Sequence, residues 1–334
     1  MKISNSLKFL YLGRSPSVHD IRFIDALSEL GEVRSYFLSA GALFPTSHSI
    51  NEEFNLVIAG PLTDVITILP SGIKIPTIGI SFATDINEEI LSEGDLILFQ
   101  ENLQKLDSII VDCQYSKSRI LELSGFTGNI LVVPFGCDFN HYSKCAPHFV
   151  NEIRIIVTRN WEDVHENLTI LKALKIVTER TNVQATFLGK GPNLNQEVKD
   201  FLPSTQNSKI TFLGFTDAND LLEKFSESWC YVSASRSDGA SISLLEAMSA
   251  GLVCVTTDFS ANLEWIANGE TGFTFRNGDP TDLARVLERI ATLDRNYLKK
   301  VGLNARERVS NDGNWLVNVV KFQNFIVQCA LENR

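Results

Sequence analysis

Apolar residues along this chain gather in short runs separated by polar and amphipathic stretches. The runs KFLYLG (8–13), NLVIAG (55–60), PTIGIS (76–81), DLILF (95–99), SIIVDC (108–113) and ILVVP (130–134) are short and rich in β-branched and aromatic residues, which predicts strands. The alternation restarts at IRIIVT (153–158) and continues through QATFLG (184–189), KITFLG (209–214), CYVSAS (230–235) and LVCVTT (252–257). Strands spaced by helices imply βαβ units in a mostly parallel sheet. Two such series predict two doubly wound α/β domains, residues 1–145 and 146–310, with the polar stretch FNHYSKCAPHFVNE (139–152) as the linker. Past residue 280 the period becomes helical. The last helix, within 311–334, is apolar enough to require a packing partner.

Composition narrows the classes. A length of 334 residues suits about two domains, and 44% hydrophobic with 21% charged residues is the balance of a soluble globular protein. No apolar run approaches the ~20 residues of a membrane span. The opening MKISNSLKFLYLG reads as a first strand and not a leader, so a cytoplasmic location is expected. Six scattered cysteines without a Cys-X-X-Cys pair argue against zinc and disulfides. A net charge of -10 argues against nucleic-acid partners. Residues 1–145 hold ten Lys and Arg against seventeen Asp and Glu, which weakens any electrostatic membrane anchor.

Cofactor fingerprints are missing. GKGPNL (189–194) has Leu194 where a dinucleotide loop needs its third glycine, and there is no P-loop. No Asp-X-Asp pair occurs, so a nucleotide site here is expected to be metal-free, with no cofactor. The stretch SRSDGASISLLEAMSAG (235–251) is the main candidate. A helix start exposes unpaired N–H groups and positive dipole, which suit a phosphate. Gly239 and Ala240 let the backbone approach closely, although Asp238 or Ser241 as a plain helix cap explains the same residues. Glu246, among Leu244, Leu245, Ala247 and Met248, either faces outward or grips a polar ligand such as a ribose diol.

That stretch, continuing into VTTDFSANLEWIANGETGFTFRNGDPTDLARVL, resembles the donor-binding core of the GT4-type retaining glycosyltransferases of glycosyl transferases group 1. FLGKGP, KITFLGFTDANDLLEKF, VVPFGCDFNHY and LGRSPSVHDIRFIDALSELGEV extend the resemblance over nearly the whole chain. The family's E-X7-E motif is here D-X7-E, from Asp238 to Glu246. The resemblance implies the GT-B fold, two Rossmann-like parallel-sheet domains facing a cleft, with the final helix crossing back to the first domain.

Carried over residue by residue, it implies that Glu246 binds ribose and Asp238 touches the transferred sugar. Gly239, Ala240, Ser241 and Ile242 would present amides to the diphosphate, and Arg159 would neutralise it, so Asp238 and Arg159 carry the catalysis. Where the family has a lysine this chain has Val164, His165 and Glu166, which makes Lys190 the candidate for the second charge. Phe215 would lie beside the base and Gly13 would face the donor phosphates. Arg14, Ser15 and His19 would stand near the acceptor. No histidine lies between 49 and 140 to meet the sugar, so Asp85 is the alternative contact there, with helix capping an equal explanation. The implied reaction moves a hexose-type sugar from a UDP- or GDP-linked donor to a glycan, lipid-linked or small-molecule acceptor, in the cytoplasm or peripherally at the inner membrane face. A sugar-nucleotide epimerase and a non-catalytic nucleotide-sugar or glycan binder are the competing readings.

Overall fold

The computed structural model describes residues 7–41, 43–88, 92–194, 209–214 and 216–332. Two compact units divide the chain: Met1–Phe135 with Leu316–Arg334, and Gly136–Trp315.

The first unit is built on six parallel strands, β1 (Leu7–Gly13), β2 (Gly31–Phe37), β3 (Leu56–Gly60), β4 (Thr77–Ile80), β5 (Ser108–Val111) and β6 (Asn129–Val132), in the order β2-β1-β3-β4-β5-β6. Strands β3, β4 and β5 are buried at every position, as expected of parallel strands covered on both faces. Phe9 of β1 pairs with Val33 on one side and Leu56 on the other, so the chain changes direction across the sheet between β1 and β3.

Two expectations change here. The run DLILF lies in a helix, Glu93–Leu103, because Ser92 and Asp95 cap its start reciprocally, each side chain bonding the other's backbone N–H. The strand β2 went unread because its sequence, GEVRSYF, is only partly buried and has no apolar run.

The second unit has its own six parallel strands: β7 (Ile153–Val157), β8 (Val183–Phe187), β9 (Ile210–Phe212), β10 (Cys230–Ser233), β11 (Val253–Thr257) and β12 (Phe273–Phe275). Their order is β12-β11-β10-β7-β8-β9. Cys230 pairs with Ile155 and Val253, so here the reversal falls between β7 and β10. Loops leaving the carboxyl ends of such a strand pair form the crevice in which open α/β sheets bind ligands. Trp229, fully buried, anchors the unit by donating Nε1–H to the Glu152 carbonyl at 2.9 Å beneath the Arg295 guanidinium. The helix Pro280–Thr292 covers one face; Asp279 caps it with bonds to the Thr281 and Asp282 amides, and Pro280 fits the first turn. Asp279→Ala is expected to lower stability in urea denaturation by about 1 kcal/mol, the ordinary worth of a side-chain cap.

The change of unit falls at Phe135/Gly136, ahead of the expected boundary at 145/146. Residues after Gly136 are tied into the second unit: Tyr142 meets the Phe225 ring edge-on at 5.8 Å, and Cys145 Sγ lies 3.3 Å from Ser226 Oγ. The last helix, Trp315–Glu332, returns to the first unit. There Phe322 stacks on Phe23 at 5.2 Å, Asn318 donates to the Pro134 carbonyl, and Gln323 donates to the Ala26 carbonyl. Among the described residues no helix is long and apolar enough to cross a membrane.

Candidate functional site

Two loops meet at the reversal point of the second unit, one following β7 and one following β10. The β10 loop runs Ala234–Ser241 into the helix Ile242–Ser249, whose apolar face, Leu244, Leu245, Ala247 and Met248, is buried. Ser241 stands at the N-cap position, yet no side chain caps the helix. Ser241 therefore does not cap the helix and turns instead to Arg159 from the β7 loop, while Asp238 meets Arg159 through Oδ2 and accepts the Gly239 N–H at Oδ1 at 3.0 Å.

Arg159 Nη2 pairs with Asp238 Oδ2 at 2.9 Å, and Nη1 donates to Ser241 Oγ at 2.9 Å and Ser243 Oγ at 3.1 Å. The remaining edge of the guanidinium lies on His165, with Nε 3.3 Å and Nη2 3.1 Å from the imidazole Nδ1. Ser235 Oγ is 3.1 Å from the same nitrogen. The Arg159 and Asp238 side chains are only 15% and 18% exposed, so this ion pair is weakly screened by water. Burial, and then the Arg159 charge, pull the His165 pKa down to about 3, so the imidazole is neutral.

Several groups hold this geometry. Asn167, buried, donates to the Arg159 and Asn160 carbonyls and shapes the β7 loop. Arg236 N–H donates to the Val164 carbonyl at 2.9 Å, linking the two loops through backbone. Below them the GKG turn packs against the β7 loop. Gly189 and Gly191 have φ of 91° and 156°, and a Cβ on either would strike the Arg159 or Trp161 carbonyl at 2.9 or 2.2 Å. Those glycines serve close packing of loop on loop. Lys190 sits between them with its N–H directed to Asn160 Oδ1 and its side chain exposed.

Residues 148–308 match the sequence profile of the family described as glycosyl transferases group 1. The match lies within the second unit. Over 224 residues the chain is 25% identical to a capsular polysaccharide biosynthesis glycosyltransferase, CapM of Staphylococcus aureus, a match covering 65% of this chain and 57% of CapM. The chain thus spans less than two thirds of that relative's length. Among solved structures, HepE of Anabaena in complex with UDP-glucose superposes with a TM-score of 0.76 at 15% identity, covering 96% of this chain and 100% of HepE. A glycosyltransferase of Rickettsia africae gives a TM-score of 0.78 at 14% identity, over 98% and 99% of the two chains. The fold is therefore GT-B, as the group 1 resemblance implied.

Of the residues that the resemblance singled out, Arg159, Asp238 and Ser241 are in direct contact, and Gly239, Ala240 and Ile242 continue the same loop into the helix. Glu246 is half-buried on that helix. Phe215 lies outside the described residues. Ser235 and Ser243 are the additions. Sequence reasoning passed over them because a serine in a loop or first helical turn carries no local mark of a partner seventy or more residues away.

In the first unit, the predicted residues gather at the reversal point between β1 and β3. Gly13 ends β1 with no room for a Cβ, the Phe37 ring being 2.6 Å from where it would lie. Arg14, Ser15 and His19 line a pocket of about 260 Å³ with Ser17, Pro61 and Phe82. Arg14 is engaged by Asp64 at 2.7 Å. His19 is largely buried, which lowers its pKa to about 4, and its Nδ1 has no hydrogen-bond partner. Asp85 requires correction: it is fully buried and accepts from Leu62 N–H at 2.8 Å, Ser81 Oγ at 2.7 Å and Phe82 N–H at 3.1 Å. Its carboxylate is occupied in shaping the loop after β4 and does not face an acceptor.

Proposed function

We propose that this protein is a retaining glycosyltransferase that moves a hexose-type sugar from a UDP- or GDP-linked donor to a sugar-containing, lipid-linked or small-molecule acceptor. The observation that carries the reading is Arg159, held at the start of the helix Ile242–Ser249 by Asp238, Ser241 and Ser243. A guanidinium and a helix N-terminus converging on one place suit a diphosphate. HepE, of the same fold, was crystallised with UDP-glucose, which supports a nucleotide-sugar donor here.

Cleaving the anomeric bond of such a donor puts positive charge on the sugar ring and negative charge on the departing diphosphate. Arg159 and the backbone amides after Asp238 oppose that negative charge more strongly in the transition state than in the bound donor, which is how they accelerate the step. The positive charge comes from the protein's own residues, in line with a metal-independent reaction. The leaving phosphate oxygen accepts the acceptor's proton, so no dedicated base is required. Asp238 keeps Arg159 in position through its ion pair and meets the sugar from the same loop. Glu246 binds the ribose hydroxyls. All six cysteines are buried thiols, which suits the reducing cytoplasm of this proposal.

The test is calorimetric titration with UDP-glucose, UDP-N-acetylglucosamine and GDP-mannose, followed by nucleotide release with sugar acceptors. Glu246→Ala is expected to weaken donor binding about tenfold to a hundredfold, the worth of a charge-assisted hydrogen bond, with an unchanged unfolding temperature. Unaltered affinity would remove Glu246 from the site. Binding of a donor without release under any acceptor would favour the non-catalytic reading.

A further inference from the structure

His165 is half-buried and unusually placed. Arg159 lies against both ring nitrogens, Nη2 being 3.1 Å from Nδ1 and 3.3 Å from Nε2. A guanidinium has no acceptor, so at least one ring nitrogen is unprotonated and the ring is neutral. A cation packed on a neutral base gains little while both are alone, and it opposes protonation of the ring. An anion bound at Arg159 reverses that balance, because it cancels the opposing charge.

The backbone keeps His165 there against its own preference. Glu166, the next residue, adopts φ 44° and ψ 43°, one of two non-glycine residues with positive φ among those described. Strain of this kind, of order 1–3 kcal/mol, persists where the surroundings impose it, and it concentrates at functional sites. Here the surroundings are the Val164 carbonyl bonded to Arg236 N–H and the Asn167 side chain bonded across the loop. The charged groups on the elements around the ring are Arg159 on the β7 loop, Glu162, Asp163 and Glu166 on its own turn, and Arg236 and Asp238 on the β10 loop. Asp238 is directed to Arg159, and Ser235 is the neutral partner of Nδ1.

We propose that His165 is a proton-loading contact for the donor diphosphate: as the anion binds at Arg159, the imidazole takes one proton from solvent, and the imidazolium shares the diphosphate with the guanidinium. The proton returns to solvent when the nucleotide leaves, and no covalent bond changes. The proposal rests on the nucleotide-sugar reading of this site. It makes His165, and not Lys190, the second positive charge.

The diphosphate of a nucleotide sugar carries no group that titrates near neutrality, so proton uptake on binding reports on the protein. Calorimetry of the full chain with UDP-glucose, UDP-N-acetylglucosamine and GDP-mannose in two buffers of different protonation enthalpy, at about pH 6, measures that uptake. Wild type is expected to take up a proton, and its affinity to fall by up to about tenfold per pH unit between the pKa of the free imidazole and that of the bound one, levelling off above the latter. His165→Gln should bind more weakly at low pH, with no uptake and a flat profile. His165→Lys should bind with a flat profile and recover the affinity lost in His165→Gln, and it serves alone if His165→Gln does not fold. Donor binding without uptake in wild type, or with equal uptake in a folded variant, overturns the role of His165 alone. Failure of wild type to bind any of the three donors overturns the nucleotide-sugar reading and this proposal with it.

Discussion

Arg159→Ala is expected to slow nucleotide release from the donor by about 10²–10³-fold, the usual loss when a preorganised contact to developing negative charge is removed. The guanidinium meets Asp238, Ser241, Ser243 and His165 at once, so its position in the free protein is already determined. A group fixed before the reaction needs no reorganisation during it, which is why its removal acts on turnover. Arg159→Lys separates charge from shape. A lysine keeps the charge but has no planar fork to span the Asp238 carboxylate and the two serines together, so it should recover only part of the rate. Initial rates of UDP or GDP release, with unfolding temperatures measured in parallel, decide the matter. A rate within threefold of wild type for a folded Arg159→Ala would take the residue out of the chemistry.

The second large effect concerns stability and comes from Asp85, fully buried beside the loop after β4. Asp85→Ala is expected to lower the unfolding free energy by about 3–5 kcal/mol, since it strands three buried donors at about 1–3 kcal/mol each before relaxation. Those donors are Leu62 N–H, Ser81 Oγ–H and Phe82 N–H. Ala83, in the same turn, has a φ of 66°, and its N–H is held by Ser81 Oγ, so the loop has further reason to rearrange when the carboxylate goes. Asp85→Asn keeps an acceptor oxygen and should cost less. Native domains hold only about 5–15 kcal/mol in all, so the alanine variant should show a clearly lower urea midpoint. A loss under about 1 kcal/mol would show that the loop satisfies its donors by another route.

Asp85 also marks where sequence reasoning stops. An Asp after a strand reads equally as a ligand contact or a cap, and only the three donors around it decide. The same limit applied at Asp238 and Ser241 with the opposite result: capping was the simpler local reading, and a guanidinium from a distant loop overrode it. Strands buried on both faces, such as LVIAG and CYVS, were legible because burial demands continuous apolar residues. The edge strand β2 and the three-residue β12 escaped for lack of such a run, and LILF was misread because four apolar residues in a row suit a half-buried helix as well as a strand. His165 was visible only as something other than a lysine. Its position against Arg159 depends on the positive φ of Glu166, which no side-chain pattern announces.

The second unit begins and ends at neighbouring residues. Cys137 N–H bonds the Gly313 carbonyl, Trp315 N–H bonds the Cys137 carbonyl, and a Cβ on Gly136 would strike the Gly313 carbonyl at 2.6 Å. The first unit takes its sequence from both sides of this joint, with Phe23 from one side stacked on Phe322 from the other. In genetic terms the second unit is a cassette spliced into an otherwise continuous domain, with both splice points at one place. Such a layout lets the cassette be exchanged between related chains through two nearby cuts, whereas removing the codons for the helix Trp315–Glu332 damages the domain encoded ahead of the cassette.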